Sequence, residues 1–314
     1  MLFYHLVVYA VSFLAIWVGA GLAIKSVEEI SKSLKLSTFA VSFLVLGFFT
    51  SISEFSVGVN SVLQNDPEIF VGNLIGASIV IFLFIVPLLA ITGKNLNIGQ
   101  EFRGFNLLLS LIVISLPSLL AIDGSISMMD ALILIIIYLF LVLSIQSKKG
   151  IFGHIKDIRK SKRQLLGKDI SKIVIGIFMI FVASRFVVVE TEYFAKILNV
   201  SPFLVSLLII SIGTNIPELS FVVRSLFMRN HQVAFGDYVG SAAFNTFLMG
   251  FLSIMYGKAV SLTNSYLVSL SFLSIGLTAF YFFAKSKHSI SRTEAIILLL
   301  IYCAFLMLEI IIHR

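Results

Sequence analysis

Ten windows of about twenty mostly apolar residues divide this chain, and they limit its possible folds more than any other feature. A hydrocarbon layer of roughly 30 Å takes about 20 helical residues to cross, and a helix satisfies its own backbone hydrogen bonds there. The windows cover residues 4–24, 38–63, 70–92, 104–122, 128–146, 172–192, 202–227, 234–256, 262–284 and 293–312. The sequence therefore predicts an all-α polytopic membrane protein with ten transmembrane helices.

The composition indicates that lipid is the main solvent of this surface. Hydrophobic residues make up 59% of the chain, charged residues make up 12%, and the mean hydropathy is +1.05, which excludes a soluble core with a polar coat. The single cysteine, Cys303, lies in an apolar window, so one chain cannot build a disulfide framework or a cysteine metal site. The first window has no basic segment before it and no small-residue cleavage site, and we expect it to be a span.

The net charge of +7 comes mostly from loops on one side of the expected bundle. If the N-terminus lies outside, the loop 147–171 and most other Lys and Arg residues lie inside, while Lys196, Lys258 and Arg314 lie outside. The positive-inside rule favours this orientation. We expect a multi-pass protein of the cell (plasma) membrane with a cytoplasmic central loop, and we expect no nucleic acid as a partner.

The two halves of the chain repeat each other when residue i is aligned with residue i+164. Apolar identities in this alignment can arise from composition, but the recurring polar and glycine positions need a duplication. These pairs are Thr50/Thr214, Glu54/Glu218, Gly72/Gly236 and Gly76/Gly240. Five spans per half make the repeat an inverted one, which is the usual construction of secondary transporters. The predicted organisation is a first five-helix repeat at 1–146, a basic cytoplasmic loop at 147–171 and a second, inverted five-helix repeat at 172–314.

Two glutamates, Glu54 and Glu218, lie near the middle of windows 2 and 7. An ionised side chain at that depth costs several kcal/mol unless it is paired, hydrated or bound to a cation. Thr50 and Thr214 precede the glutamates by four residues and share their helix faces. Each half therefore directs a hydroxyl and a carboxylate towards one cavity.

A proline marks a helix break beside the second glutamate. Pro217 cannot donate a helical hydrogen bond, so the carbonyl of Gly213 should be free to face an ion. Ser53 stands at the equivalent place in the first half, and we expect a milder break there. In window 8 a polar stripe follows at four-residue spacing, and its first-half equivalent is mostly apolar. The stripe is Asp237, Ser241 and Asn245, and the equivalents are Asn73, Ala77 and Ile81.

Two carboxylates with hydroxyl, amide and carbonyl oxygens suit a hard cation. Ca²⁺ accepts 6 to 8 oxygens in irregular geometry, whereas Mg²⁺ demands a tight octahedron. The lack of Cys and His in windows 2, 3, 7 and 8, which hold the candidate ligands, argues against zinc and copper. When the divalent ion leaves, two neighbouring carboxylates in a dry site need Na⁺ or protons in its place, which is the physical basis of antiport. We expect no cofactor, and we expect the lipid bilayer and the transported ions as partners of a monomer.

Structural explanations exist for each of these residues. The glutamates can pair with a buried cation such as Arg185 or Arg224. Asp237 can be the N-cap of span 8. Ser241 and Asn245 can serve ordinary helix–helix hydrogen bonding. An intramembrane enzyme is a further alternative, but the sequence has no HExxH motif and no mid-span catalytic pair of aspartates.

At these positions the sequence resembles the cation/calcium antiporter superfamily, in particular the prokaryotic type of sodium/calcium exchanger membrane region. The segments 213–218 (GTNIPE) and 236–241 (GDYVGS) are similar to the family's G-T-S-L-P-E and G-N-x-x-G-S motifs. The first half keeps Thr50, Ser51, Glu54, Gly72, Asn73 and Gly76. The resemblance covers essentially the whole chain and implies ten helices in two inverted repeats, with spans 1 and 6 sliding across the other eight during transport.

The resemblance also implies a ligand set. For calcium it implies Glu54, Glu218 and the backbone oxygens of Thr50 and Thr214. For sodium it implies Ser51, Ser211 (backbone), Asn215 and Ser241. Ala77 stands where the family has a serine, Ile81 where it has a polar side chain, and Asn245 where it often has an acid. One monovalent site is therefore altered, and three sodium ions per calcium cannot be assumed.

The function we predict is a secondary active antiporter that exchanges Ca²⁺ for Na⁺ by alternating access at a midplane site of two glutamates. Exchange of Ca²⁺ for protons, exchange of another cation, and a transport-inactive relative are the alternatives. The candidate ion ligands are Glu54, Glu218, Thr50, Thr214, Ser51, Asn215, Ser241, Asn245, Ser211, Asn73 and Asp237.

Overall fold

The computed structural model describes residues 2–33, 43, 47–93, 95–98, 104–146, 163–219, 222, 231–262 and 266–312. Its helices are α1 (Leu2–Ser33), α2 (Gly47–Thr50), α3 (Ile52–Leu63), α4 (Pro67–Thr92), α5 (Phe105–Leu120), α6 (Met128–Gln146), α7 (Arg163–Leu198), α8 (Pro202–Thr214), α9 (His231–Tyr256), α10 (Leu267–Lys287) and α11 (Arg292–Ile312). A further helical turn covers 216–219. Four two-residue strands are β1 (Leu96–Asn97), β2 (Ser125–Ile126), β3 (Val260–Ser261) and β4 (Ser289–Ile290).

Eight of these helices are long and apolar enough to cross a membrane, within the part of the chain that the structure describes. The predicted spans 2 and 7 are not continuous helices. In the described residues each consists of short helices with an interruption near the middle of the span. Residues 38–42, 44–46, 220–221 and 223–227 of those two spans lie outside the described residues. The all-helical membrane fold is confirmed, while the count of ten continuous helices is not.

The boundary of the predicted central loop needs a correction. Helix α7 begins at Arg163, so residues 163–171 are helical, and residues 147–162 lie outside the described part. The division into 1–146, 147–171 and 172–314 otherwise remains a prediction.

The offset of 164 residues between the halves extends to details that the sequence comparison did not reach. Strand β1 pairs with β4 and β2 pairs with β3, both antiparallel. The pair Leu96 and Ile290 becomes the pair Val260 and Ile126 when each residue is replaced by its repeat equivalent. The two ribbons are therefore images of each other and tie the halves together at two places.

Matching capping boxes begin α6 and α11. The Ser127 hydroxyl donates to Asp130 at 2.6 Å, and the Ser291 hydroxyl donates to Glu294 at 2.7 Å. Each carboxylate also accepts the backbone N–H of its serine at 2.8 Å, which satisfies donors that a helix start otherwise leaves unpaired. The fifth helix of each half therefore starts at an equivalent residue.

Helices α4 and α9 form the centre of the bundle. In their most apolar windows 83% and 78% of the residues are buried, against 22% in α6 and 28% in α11. The outer helices expose Leu, Ile and Phe, which is the distribution expected of a surface in lipid. The candidate ligands on α4 and α9 therefore lie in the interior of the protein.

A proline inside α5 is compensated from a neighbouring helix. Pro117 cannot donate to the carbonyl of Val113, and the Thr246 hydroxyl of α9 donates to that oxygen at 2.9 Å. This contact fixes α9 against α5 within the apolar interior.

Candidate cation site

Two helix breaks with similar backbone dihedrals lie at equivalent positions of the halves. Ser51 separates α2 from α3 with φ −75° and ψ 6°, and Asn215 follows α8 with φ −87° and ψ 9°. At the first break the Ser51 N–H keeps a stretched helical bond to the Gly47 carbonyl at 3.4 Å, whereas the Asn215 N–H bonds to Gly213, so the first break is the milder one, as expected. The hydroxyl of Ser51 donates to the Gly47 carbonyl at 2.9 Å and competes there with the helical N–H, so the first half breaks without proline.

The carbonyl of Gly213, which was expected to be free at the second break, has a hydrogen-bond partner. The N–H of Asn215 bonds to the Gly213 carbonyl, so that oxygen has a local partner. A glycine at this position serves close packing instead, because a Cβ on Gly213 would overlap the Phe13 ring of α1.

Glycines bring the broken helices into backbone contact with α4 and α9. A Cβ on Gly76 would lie against the carbonyl oxygen of Leu207 and 2.7 Å from the Cβ of Ser211. Its repeat equivalent, Gly240, has the same relation to Phe43, and Gly47 lies against the backbone of Gly240. These close crossings, which small residues allow, place Glu54 and Glu218 beside α4 and α9.

Both glutamate side chains are fully buried, and hydrogen bonds link each to the opposite half, Glu54 through Ser53 to Thr214 and Glu218 through Ser241 to Ser51. Glu54 Oε2 accepts a hydrogen bond from the Ser53 hydroxyl at 3.2 Å, and Glu218 Oε1 accepts one from the Ser241 hydroxyl at 3.1 Å. The other carboxylate oxygens, Glu54 Oε1 and Glu218 Oε2, accept none from any residue the structure describes. Buried carboxylate oxygens without donors favour a cation.

The two threonines bond to the opposite half in matching ways. The Thr214 hydroxyl donates to Asn73 Oδ1 at 3.1 Å, and the Thr50 hydroxyl donates to Asp237 Oδ1 at 3.3 Å. Asp237 lies well inside α9, which begins at His231, so its interpretation as an N-cap is wrong. Asn73 and Asp237 are buried repeat partners that orient the threonines.

One half of the site carries a chain of hydroxyls that the other half lacks. The Ser51 and Ser241 hydroxyls are 2.9 Å apart, and Ser241 continues to Glu218. Ala77 and Ile81, the first-half equivalents of Ser241 and Asn245, are fully buried and offer no oxygen from their side chains. The halves share a backbone but differ in chemistry.

The remaining predicted ligands lie around this network. Asn215 Nδ2 donates to the backbone oxygen of Ser211 at 2.7 Å, and the Ser211 hydroxyl donates to Leu207. Asn215 Oδ1 has no donor among the described residues. Asn245 is 2% exposed, and neither of its amide atoms has a partner in the described part of the chain. Interhelical hydrogen bonding therefore does not explain Asn245, although it does describe Ser241.

Sequence reasoning missed one site residue. Ser53, fully buried, directs its hydroxyl at the backbone oxygens of Thr50 and Thr214, each 3.1 Å away, as well as at Glu54. The two carbonyls assigned to calcium by resemblance are therefore brought together at one atom. The available signal was the replacement of the proline found at 217 by a residue with an oxygen.

Pairing of the glutamates with Arg185 finds no support, and pairing with Arg224 is untested. Arg185 lies on the exposed face of α7, and Arg224 lies outside the described residues. Among the described residues no ion pair involves either glutamate, and no group of three His, Cys, Asp or Glu side chains is placed to hold a metal. Besides the two carboxylates, the described residues offer hydroxyl, amide and backbone oxygens here.

Comparison with known proteins decides the family. The model of the sodium/calcium exchanger protein family matches residues 4–145 and 170–311, which together include nearly the whole chain. This chain belongs to the sodium/calcium exchanger family. Members of this family are transporters, so the class of function of this chain is ion transport.

Three relatives show how far the likeness extends. The sodium/calcium exchanger MaX1 of Methanosarcina acetivorans is 26% identical over 140 residues, which cover 44% of this chain and 40% of that protein. Inner membrane protein YrbG of Escherichia coli is 24% identical, covering 73% of this chain and 74% of its own. An uncharacterized membrane protein of Methanocaldococcus jannaschii is 23% identical, with 91% and 92% covered. The last alignment includes both halves of the exchanger.

Solved structures share the fold. The sodium-calcium exchanger NCX_Mj, soaked with 2.5 mM Na⁺ and 10 mM Sr²⁺, superposes with a TM-score of 0.70 at 19% identity, covering 97% of this chain and 98% of that one. The same exchanger soaked with 10 mM Na⁺ and no Ca²⁺ gives 0.69 at 18% identity and the same coverage. The predicted arrangement of two inverted repeats is confirmed at this level.

Proposed function

We propose that this protein exchanges Ca²⁺ for Na⁺ across the membrane, and that both ions compete for one buried site around Glu54 and Glu218. One observation carries the proposal: two fully buried carboxylates, each with one oxygen that accepts no hydrogen bond from the described residues, meet at two equivalent helix breaks. Two negative charges in such a place require a compensating cation.

The oxygens around the carboxylates favour Ca²⁺. The backbone oxygens of Thr50 and Thr214 both lie 3.1 Å from Ser53 Oγ, so each half contributes a carbonyl oxygen near this hydroxyl. Ca²⁺ accepts 6 to 8 carboxylate and carbonyl oxygens in irregular geometry, whereas Mg²⁺ demands an octahedron and usually keeps several waters. When Ca²⁺ departs, Na⁺ would balance the charge of the carboxylates. Its ligands would be Ser51, Ser241, Asn215 and the Ser211 carbonyl. Asn73 and Asp237 would orient the threonines, and Asn245 would provide an amide.

Protons are the second candidate for the counter-ion, and the buried Ala77 and Ile81 favour them. A sodium ion needs several oxygens, whereas a proton needs only a carboxylate oxygen. The first half retains Glu54 but lacks the hydroxyl that Ser241 gives to Glu218. Proton binding at Glu54 would therefore tolerate these two substitutions.

The test is uptake of radioactive Ca²⁺ into proteoliposomes, driven either by an outward Na⁺ gradient or by an imposed proton gradient. We expect Na⁺-driven uptake that Glu54→Gln and Glu218→Gln each reduce by about 100-fold or more, since removing one charge from a buried site costs about 3–5 kcal/mol. Uptake driven only by the proton gradient would assign the second candidate. No uptake under either gradient would contradict calcium antiport.

Glu309→Gln is the matched control. Glu309 is also a fully buried glutamate in a membrane helix, but it belongs to α11 and accepts a hydrogen bond from Ser269 of α10 at 2.7 Å. Its neutral amide keeps an acceptor oxygen for Ser269. Uptake by this variant should stay near the wild-type rate, and an equal loss in all three variants would show that any buried glutamate is needed merely for folding.

A further inference from the structure

Ser53 occupies a position that its repeat equivalent, Pro217, cannot imitate. Its Oγ lies 3.1 Å from the Thr50 backbone oxygen, 3.1 Å from the Thr214 backbone oxygen and 3.2 Å from Glu54 Oε2. All three atoms are ones that the proposed function assigns to Ca²⁺. The hydroxyl is thus surrounded by the ion's expected ligands, from both halves of the protein.

One proton cannot satisfy three acceptors. A serine hydroxyl donates a single hydrogen and has two lone pairs, so at any moment two of the three oxygens face it without a hydrogen bond. All four oxygens are buried, and close approach of acceptor oxygens without hydrogens between them is repulsive. A cation among them would remove this repulsion.

The spacing of these oxygens fits a shared cation. Ligands 2.3 to 2.6 Å from Ca²⁺ are about 3.3 to 3.7 Å apart at right angles, and they come closer as their number rises above six. Separations of 3.1 to 3.2 Å between Ser53 Oγ and its three neighbours are hydrogen-bond lengths, and they also fit adjacent ligands of a Ca²⁺ with more than six oxygens.

We propose that Ser53 Oγ is itself a ligand of the divalent cation and sets the preference of the site for Ca²⁺ over smaller ions. This inference rests on the proposed function. An added neutral oxygen raises the ligand number, which favours Ca²⁺ with its 6 to 8 oxygens over octahedral Mg²⁺. It also gives the first half a side-chain oxygen where Ala77 and Ile81 provide none.

The competing explanation is structural. A serine hydroxyl that donates to the carbonyl three residues earlier often stabilises a bent helix, and Ser53 has this relation to Thr50. In that case Ser53 would support the break without touching the ion. Loss of affinity in Ser53→Ala cannot separate the two explanations, so the test must change the ion preference.

Ser53→Cys replaces a hard oxygen by a soft sulfur at the same place. Soft ions such as Cd²⁺ prefer sulfur, so direct ligation predicts that Cd²⁺ inhibits Ca²⁺ uptake into proteoliposomes at a concentration about tenfold lower than in the wild type. Ser110→Cys is the matched control, because Ser110 is a fully buried serine that donates to its own helix at Asn106. Both variants retain Cys303. Cd²⁺ should inhibit Ca²⁺ uptake by the Ser110→Cys control at the same concentration as in the wild type.

Ser53→Ala provides a second, independent ratio. With one oxygen fewer, Ca²⁺ should lose about tenfold in apparent affinity while competition by Mg²⁺ weakens less, so the Ca²⁺/Mg²⁺ preference falls. A purely structural serine predicts equal losses for both ions. This ratio decides the question if Ser53→Cys does not fold.

The outcomes separate the inference from the function on which it rests. Ca²⁺ uptake with unchanged Cd²⁺ sensitivity in Ser53→Cys, or with an unchanged Ca²⁺/Mg²⁺ preference in Ser53→Ala, would overturn the role of Ser53 and leave the antiporter intact. Absence of Ca²⁺ uptake by the wild type would overturn the proposed function itself.

Discussion

Ala77 and Ser241 occupy equivalent positions, and one oxygen atom distinguishes them. Ser241 joins Ser51 to Glu218, whereas the methyl group of Ala77 leaves Glu54 to the hydroxyl of Ser53. The two carboxylates therefore have different hydrogen-bond donors on an almost symmetric backbone. An exchanger that binds two kinds of ion in turn can use such inequality, because each half can favour a different ion.

Residue spacing predicted some of these relations and not others. The four-residue spacing of Thr50 and Glu54 and its repeat at Thr214 and Glu218 were enough to predict a shared face. The contact between Ser53 and the opposite half was not predictable, because it depends on the path of two chains at a crossing. The alternative that Asp237 caps span 8 arose because the apolar window begins near it, whereas α9 begins earlier, at His231.

The carboxyl group of Asp66, which lies between α3 and α4, predicts that the stability of the protein depends on pH. This residue precedes α4 outside the spans, and burial raises its pKa to about 6, with the charges of Glu192 and Glu68 acting in the same direction and Lys196 opposing them. The folded protein therefore holds this proton more tightly than the unfolded chain, for which the pKa is 3.8. The stabilisation is complete below that value and is lost as the pH rises through about 6.

Asp66→Asn should remove this dependence. In detergent, we expect the melting temperature of the variant to gain on that of the wild type as the pH rises from 4 to 7, with most of the gain between 4 and 6.5. Glu192→Gln should reduce the effect, since one repulsive charge is gone. A constant difference between variant and wild type over this range would contradict the assignment.

At the scale of elements, glycines determine how closely the broken helices approach α4 and α9. Gly76→Ala and Gly240→Ala should each destabilise the protein by about 1–3 kcal/mol, because a methyl group meets backbone atoms of Leu207 or Phe43 that cannot rotate away. Thermal unfolding of the purified variants measures this. Gly21→Ala is the control, since nothing lies within 4 Å of its added Cβ, and equal melting temperatures for all three would contradict the crossing.

The elements themselves were only partly predictable. The apolar windows predicted the long helices, because a span through lipid leaves a direct pattern in the sequence. The π-helical turns at Ser206–Ile210 and Ile81–Ile85 have no such pattern. The donation of Thr246 to the carbonyl freed by Pro117 joins residues far apart in sequence and becomes visible only in the packed bundle.

At the scale of the molecule, the two ribbons connect loops that the charge distribution places on the same side. β1 and β4 come from loops rich in Lys and Arg, and β2 and β3 come from the opposite loops. The ribbons support the grouping of these loops on two sides of the membrane, but they do not show which side is cytoplasmic. A plasma-membrane location with an outside N-terminus, and a monomer as the functional unit, are proposals.

Cysteine labelling measures the orientation. In a Cys303→Ser background, Ser261→Cys should react with a membrane-impermeant maleimide in intact cells, and Asn97→Cys should react only after permeabilisation. Both positions are exposed in the structure, so access depends on the side of the membrane. The reverse pattern would show that the N-terminus faces the cytoplasm.

The central claim is that Glu54 and Glu218 together hold Ca²⁺, and Ca²⁺-dependent thermal stabilisation of the purified protein tests it most directly. Ligand at 100 times its dissociation constant stabilises the folded state by about 2.7 kcal/mol, a shift that thermal unfolding resolves. We predict a rise in melting temperature with Ca²⁺ for the wild type and for Glu309→Gln, and none for Glu54→Gln or Glu218→Gln. Equal stabilisation of all four proteins, or of none, would contradict the account.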